Sequence, residues 1–236
     1  MLEIKELSSG YLGSKVLHNV TLSCEGGITL VAGPNGAGKS TLIKSINGSL
    51  RPVEGRISFS GRNIEKLNPH SISLLGIATV PERGRIFPSM TVIDNLRVSF
   101  ESSNNKGSTF ESSLENVYVL FPDLKEKAND RAITLSGGQQ QMLSIGRAII
   151  AGPKLLMLDE PTTGLFPKIV RDVISKILEI SGTMPILLTE QNLTETLPIS
   201  SKVYILESGR IVFSGSSAEM IEDHNLRELY FGMGGK

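Results

Sequence analysis

The sequence of 236 residues contains a single cysteine, Cys24, which excludes an internal disulfide and a cysteine-based zinc cluster and agrees with a reducing compartment. Cys24 itself reads as a small buried hydrophobe. Net charge is also missing. Lys+Arg and Asp+Glu balance at 24 each, so no overall basic field points to nucleic acid and no acidic tail to a solvating segment. No stretch approaches the roughly 18 uninterrupted apolar residues of a spanning helix, and the best runs, such as 203–206, are strand-sized. If the chain serves a membrane, it does so by docking. The opening MLEIKELSSG has neither a basic n-region nor a long apolar run, so the mature chain is expected to begin at Met1. No internal repeat is visible.

What is present describes a globular protein: 39% hydrophobic residues, 20% charged residues and enough length for one large domain or a domain with an inserted lobe, though not for two motor domains. Apolar alternation and turn signals predict strands over 2–7, 16–24, 28–32, 56–60 and 77–80, with a helix from Lys39 and a short one near Pro69. From Thr91 to about Ala151 the apolar spacing becomes helical, as at Val92, Leu96, Leu114, Val117, Leu120 and Phe121, which predicts a helical lobe inserted into an α/β domain. Within it, 99–113 is rich in Ser and Asn and is expected to be an exposed loop. Strand and helix then alternate again: strands at 155–158, 186–188, 203–206 and 211–213, a helix over 167–181 and a short helix near Leu193. Such alternation implies a parallel sheet covered by helices.

Three motifs carry chemistry. Gly33-Pro-Asn-Gly-Ala-Gly-Lys-Ser40 matches GxxxxGK[ST] between a predicted strand and a predicted helix, the context in which backbone N–H groups and a helix start cradle phosphates. Asn35, Gly36, Gly38, Lys39, Ser40 and Thr41 are therefore nucleotide-binding candidates. Lys39 supplies charge between the β- and γ-phosphates, and Ser40 a hard oxygen for Mg²⁺. Leu155-Leu-Met-Leu-Asp-Glu160 ends a buried-type strand on two acids, before a proline that disfavours helix. Asp159 is a candidate for the Mg²⁺ shell and Glu160 for the general base that polarises the attacking water. Leu135-Ser-Gly-Gly-Gln139 opens a helix with the spacing of a capping box, and its two glycines bare N–H groups to an anion. Ser136, Gly137, Gly138 and Gln139 thus form a second phosphate-binding helix start. One nucleotide is wrapped by both starts only if they come from different molecules, which implies a head-to-tail pair with two ATP molecules in its interface.

GPNGAGKS, LSGGQ and LLMLDE in this order resemble the nucleotide-binding subunits of ABC transporters, nearly end to end. The resemblance implies a P-loop NTPase with a RecA-like core, an antiparallel β subdomain and an inserted helical subdomain. The expected division of this single domain, 1–236, is core plus β subdomain over about 1–86 and 153–236, and the helical subdomain over about 87–152. Tyr11 stands where that family stacks an aromatic ring on adenine; an exposed turn tyrosine is the alternative.

The chain departs from the general pattern at three places. Glu82 replaces a glutamine, Gln191 a histidine, and Phe166 the aspartate expected after the two acids. His18, His70 and His224 read as surface or turn residues. VPERGRIFPSMTVIDNL, SGGQQQMLSIGRA, LLTEQN and the terminal Tyr230-Phe-Gly are similar to the ATPase subunits of branched-chain amino acid importers of the LivF type. That resemblance implies transmembrane permease subunits, a second ABC ATPase subunit identical or sister to this one, an external solute-binding protein acting indirectly, no nucleic acid, and a position at the cytoplasmic face of the membrane. Gln191 is able to hydrogen-bond a γ-phosphate or a water but cannot change charge near neutral pH. Glu82 acts through Mg²⁺, through water, or against Arg83 or Arg85. Phe87 and Met90 either line a groove for a permease helix or anchor the lobe to the core. Two rival functions share the phosphate motifs. A soluble ABC-type ATPase acting on DNA, ribosomes or cluster assembly is opposed by the lack of a second motor domain, a heptad insertion or a basic tract. A regulatory module that hydrolyses ATP poorly is favoured by Gln191 and Phe166 and opposed by Glu160.

Overall fold

The computed structural model describes residues 1–82, 84, 86–104 and 107–222. Two sheets and a helical lobe make up the described part. β1 (Leu2–Tyr11), β2 (Ser14–Cys24), β4 (Glu54–Phe59) and β5 (Arg62–Asn63) form an antiparallel sheet in the order β2-β1-β4-β5. The second sheet runs β10-β9-β3-β8-β7-β6, from β3 (Ile28–Ala32), β6 (Ile77–Val80), β7 (Leu155–Asp159), β8 (Ile186–Glu190), β9 (Lys202–Glu207) and β10 (Arg210–Ser216). Its pairs are parallel except for β10, which closes one edge against β9 as a hairpin.

Every residue of β3, β7 and β8 is buried, the signature of a sheet covered on both faces. The two-residue period of a strand divides these side chains between two cores. Leu30, Leu156, Leu158 and Leu188 pack with the helical lobe and α7 (Pro167–Ser181), whereas Val31, Met157 and Leu187 pack with α1 (Lys39–Ile46) and the antiparallel sheet.

Between β6 and β7 the chain is helical: α3 (Val92–Glu101), α4 (Phe110–Leu120), α5 (Pro122–Glu126) and α6 (Gly137–Ile149), with a 3-10 turn at Ala132–Thr134. α2 (Pro69–Leu74) precedes β6 and α8 (Ser217–Glu222) follows β10. Two expectations need correction. The Ser-rich segment is helical at both ends, because α3 runs to Glu101 and α4 starts at Phe110 under a Thr109 cap. Phe100 packs edge-to-face on Phe110 at 5.6 Å and the Arg97 guanidinium lies 4.1 Å from the Phe110 ring centre, so tertiary packing outweighs composition there. No helix forms near Leu193. Asn192 Oδ1 accepts from Thr194 N–H at 2.9 Å, and turns follow up to Pro198, with Leu193 and Leu197 buried as anchors. Among the described residues no helix is long and apolar enough to cross a membrane.

Candidate functional site

Strand register gathers the chemistry at one edge. Ala32 pairs with Glu190 and Asp159 with Thr189, so β3, β8 and β7 end side by side. The phosphate loop, Gln191 and Glu160 therefore leave neighbouring strand ends, with Gln191 in the middle. β6, beside β7, delivers Glu82 to the same edge. This is the carboxyl edge of the parallel strands, where open α/β sheets bind ligands.

The loop enters α1 through Gly38, whose φ of 110° suits glycine, and a Cβ there would lie 2.7 Å from Leu17 Cδ2. Lys39, at N1 of α1, is buried and points back into the loop. Its ammonium donates to Gly33 O at 2.6 Å and Pro34 O at 2.9 Å, and pairs with Glu160 Oε1 at 3.0 Å. Asn35 and Gly36 are exposed, Ser40 is half-buried and Thr41 is buried.

Glu160 follows β7 with φ 46°, a left-handed conformation that turns its side chain towards Lys39. Its N–H is shared between Thr189 O at 3.0 Å and Thr189 Oγ1 at 3.2 Å, and its Oε2 accepts from Thr163 Oγ1 at 3.1 Å. Asp159 is buried, and its Oδ1 accepts from Thr189 Oγ1 at 2.7 Å. Beside these acids, Glu190 is 2% exposed and takes two hydrogen bonds from Thr162. Burial pushes the Glu190 carboxyl above the ordinary range, the Thr162 bonds pull it back, and neighbouring Glu160 adds a smaller upward push. Gln191 is exposed and lines a cavity of about 690 Å³ with Thr162, Thr163, Gly164 and Asn192.

The Ser136 motif forms the expected capping box: Ser136 Oγ accepts from Gln139 N–H at 3.4 Å and Gln139 Oε1 from Ser136 N–H at 3.1 Å. Ser136 and Gly137 are exposed. Gly138 is buried against α7, where a Cβ would come within 2.4 Å of Ile169 Cγ2. Tyr11, 42% exposed, ends β1 with Lys44 Nζ of α1 5.8 Å from its ring centre. Glu82 is exposed at the surface. The suggested pairing with Arg83 or Arg85, the third histidine His224 and the terminal Tyr230-Phe-Gly lie outside the described residues. His18 is half-buried in β2 and His70 is exposed on α2.

A groove of about 410 Å³ separates β6 and α2 from the lobe helices α3 and α6, lined by Thr79, Pro81, Ser99, Ser102, Ser144 and Arg147 among others. Phe87 and Met90 are not part of that lining. The backbone of Phe87 is held instead by Asn95, with N–H to Oδ1 at 2.7 Å and Nδ2 to O at 2.9 Å, and its ring lies 4.5 Å from the Arg147 guanidinium carbon. These contacts hold Phe87 against α3 and α6, within the lobe itself. Phe166 caps α7 in an extended conformation with 78% of its surface exposed. Cys24 is buried, and burial pushes its thiol up, as suits an inert core residue.

Sequence reasoning passed over Thr162, Thr163, Thr189 and Glu190. The signal available was an apolar strand, Ile-Leu-Leu, ending on Thr189 and Glu190 just before Gln191.

The profile of the ABC transporter family matches residues 17–163. The chain is 37% identical over 234 residues to "High-affinity branched-chain amino acid transport ATP-binding protein BraG" of Pseudomonas aeruginosa, covering 98% of this chain and 100% of that one. It is 36% identical to "Probable branched-chain amino acid transport ATP-binding protein LivF" of Archaeoglobus fulgidus, covering 99% of each. A solved structure described as "Structure of ATP binding subunit of ABC transporter" superposes with a TM-score of 0.84 at 28% identity, covering 100% of both chains. The fold is thus the P-loop NTPase fold of ABC ATPases, a RecA-like core with an antiparallel β subdomain and an inserted helical subdomain. The chain belongs to the ABC transporter family, as one of its ATP-binding and ATP-hydrolysing members.

Proposed function

We propose that this chain is the motor subunit of an importer for branched-chain or other hydrophobic amino acids, docked on transmembrane permease subunits at the cytoplasmic face of the membrane. The observation that carries the motor reading is the Lys39–Glu160 pair, 3.0 Å long and sheltered at the shared carboxyl edge of the strands. A polyphosphate brings more negative charge to Lys39 than one carboxylate does, so ATP draws the ammonium away and frees Glu160 to accept a proton from the attacking water. Thr163, bonded to Glu160 Oε2, keeps the carboxylate oriented during that exchange. Gln191 binds the γ-phosphate or the water without a change of charge, and Tyr11 offers its exposed ring to adenine.

Ser40 and Asp159 are the residues that would hold Mg²⁺, with Glu82 reaching it directly or through water. A hydroxyl and a carboxylate are hard oxygen donors, and this ion keeps phosphate oxygens and waters in its remaining positions. When bound, the ion neutralises charge on the transferred phosphoryl group.

The Ser136–Gln139 helix start, exposed at Ser136 and Gly137, closes on the nucleotide of a second ABC ATPase subunit in a head-to-tail pair, and hydrolysis lets the halves part. The division into 1–86 with 153–236 and 87–152 separates the ATP-holding part from the lobe that carries this start. The groove beside Arg147 is where a permease element docks. The amino acid specificity follows from the likeness to the two relatives, both branched-chain amino acid transport ATP-binding proteins by name, and an external solute-binding protein acts only through the permease. Tagged Glu160→Gln, expressed in the native host, held in ATP and solubilised, is expected to copurify with multi-span chains and a second phosphate-loop subunit. Recovery of soluble partners only would overturn the transporter reading.

A further inference from the structure

β8 ends on a residue that neither phosphate nor metal binding accounts for. Glu190 is buried, and taking a carboxylate out of water costs free energy unless hydrogen bonds compensate. Its Oε1 accepts from Thr162 N–H at 3.1 Å and from Thr162 Oγ1 at 2.8 Å. Gln191 follows Glu190 directly in the chain, so whatever holds Glu190 at the end of β8 also holds the start of the Gln191 segment. Its own carbonyl accepts from Gly33 N–H, the first amide of the phosphate loop, at 3.2 Å. One residue thus touches the loop, the turn after β7 and the Gln191 segment. The turn passes the connection on, because Thr163, next to Thr162, bonds Glu160 Oε2.

We propose that Glu190 is a positioning residue for ATP hydrolysis: it ties the Thr162–Thr163 turn to Gln191, so that Glu160 and Gln191 meet the γ-phosphate as one unit. Glu190 acts through the neighbours it bonds, Thr162 and the first amide of the phosphate loop. Register alone brings β7 and β8 together, but it does not fix a turn beyond the strand ends. The carboxylate supplies that constraint from beneath, where one oxygen satisfies both Thr162 donors.

The inference rests on the assignment of Glu160 and Lys39 above, and the test separates the two. Steady-state ATP turnover and ATP binding are measured on the full chain in its copurified complex for wild type, Glu160→Gln, Glu190→Ala, Glu190→Gln, Thr162→Val and the Glu190→Ala/Thr162→Val double variant. Loss of an orienting partner typically costs about 10–100-fold in activity, so kcat of Glu190→Ala is expected to fall by that factor while KM for ATP stays within about twofold. Glu190→Gln, whose amide oxygen accepts the same two bonds, restores most of kcat. Thr162→Val lowers kcat about threefold to tenfold and costs nothing further in the double variant, because the two residues form one interaction. If Glu190→Ala does not fold, Thr162→Val carries the test alone. Wild-type kcat in Glu190→Ala or Thr162→Val, a loss confined to KM, or a Gln variant as slow as the Ala variant overturns the proposal. Undiminished turnover by Glu160→Gln would instead overturn the site assignment on which it rests.

Discussion

The two helix starts that carry the phosphate motifs solve the same problem in opposite ways. At α1 the cap is Gly38, with φ 110° and no side-chain hydrogen bond, followed by a buried lysine. At α6 the cap is Ser136, whose side chain and that of Gln139 satisfy each other's backbone N–H groups. The first leaves its early amides to a ligand and sets a cation among them; the second satisfies the amides of Ser136 and Gln139 itself, leaves those of Gly137 and Gly138, is exposed at Ser136 and Gly137, and has no cation of its own in the first turn. A helix start with spare donors and a buried charge binds an anion unaided. One that is already capped adds to a site built by another molecule. This asymmetry is why the chain reads as half of a clamp.

The comparison breaks most sharply at Gly38. Gly38→Ala forces a side chain into a positive-φ position facing Leu17, so a destabilisation of about 1–3 kcal/mol and loss of ATP binding are expected, read by thermal melting and calorimetry. Next is Gly138→Ala, whose methyl group meets Ile169 of α7. Overpacking costs about 1–3 kcal/mol, and turnover falls together with stability. Ser136→Ala removes the cap and costs about 1 kcal/mol in a melt, with ATP binding by the isolated chain unchanged. Gly137→Ala is the most informative of the small effects. Its nearest foreign atom is Leu165 Cδ2 at 3.8 Å, so stability is unchanged or slightly raised. Turnover of the assembled complex nevertheless drops about tenfold, equivalent to 1.4 kcal/mol, because the methyl group holds the partner's nucleotide away.

Much of this was legible in the sequence because the signals are local. β3 and α7 begin and end where apolar pattern, glycine and proline predict, and the capping box at Ser136 follows from spacing alone. The readings that failed depended on distant partners. Phe100 and Phe110 hold helix ends that Ser and Asn composition argues against. The short helix expected near Leu193 does not form, because Asn192 caps a turn there and turns continue to Pro198. α8 was missed although Ser216 and Glu219 exchange capping bonds of 3.1 and 2.7 Å, a pattern visible three residues apart. At the site, Lys39, Asp159 and Glu160 are announced by their motifs. The bond between Thr162 and Glu190 spans 28 positions and exists only once β7 and β8 pair.

The most direct test titrates ATP calorimetrically into the isolated chain for Lys39→Ala and Gly137→Glu side by side, then measures turnover of each in the assembled complex. Loss of a charged hydrogen-bond partner costs about 1.5–3 kcal/mol, so Lys39→Ala should bind ATP about 10–100-fold more weakly. Gly137→Glu should bind it as wild type does and yet fail to support turnover, since its new charge faces a nucleotide held by the other subunit. A Gly137→Glu chain that binds ATP poorly on its own, or that hydrolyses it normally in the complex, would contradict the account.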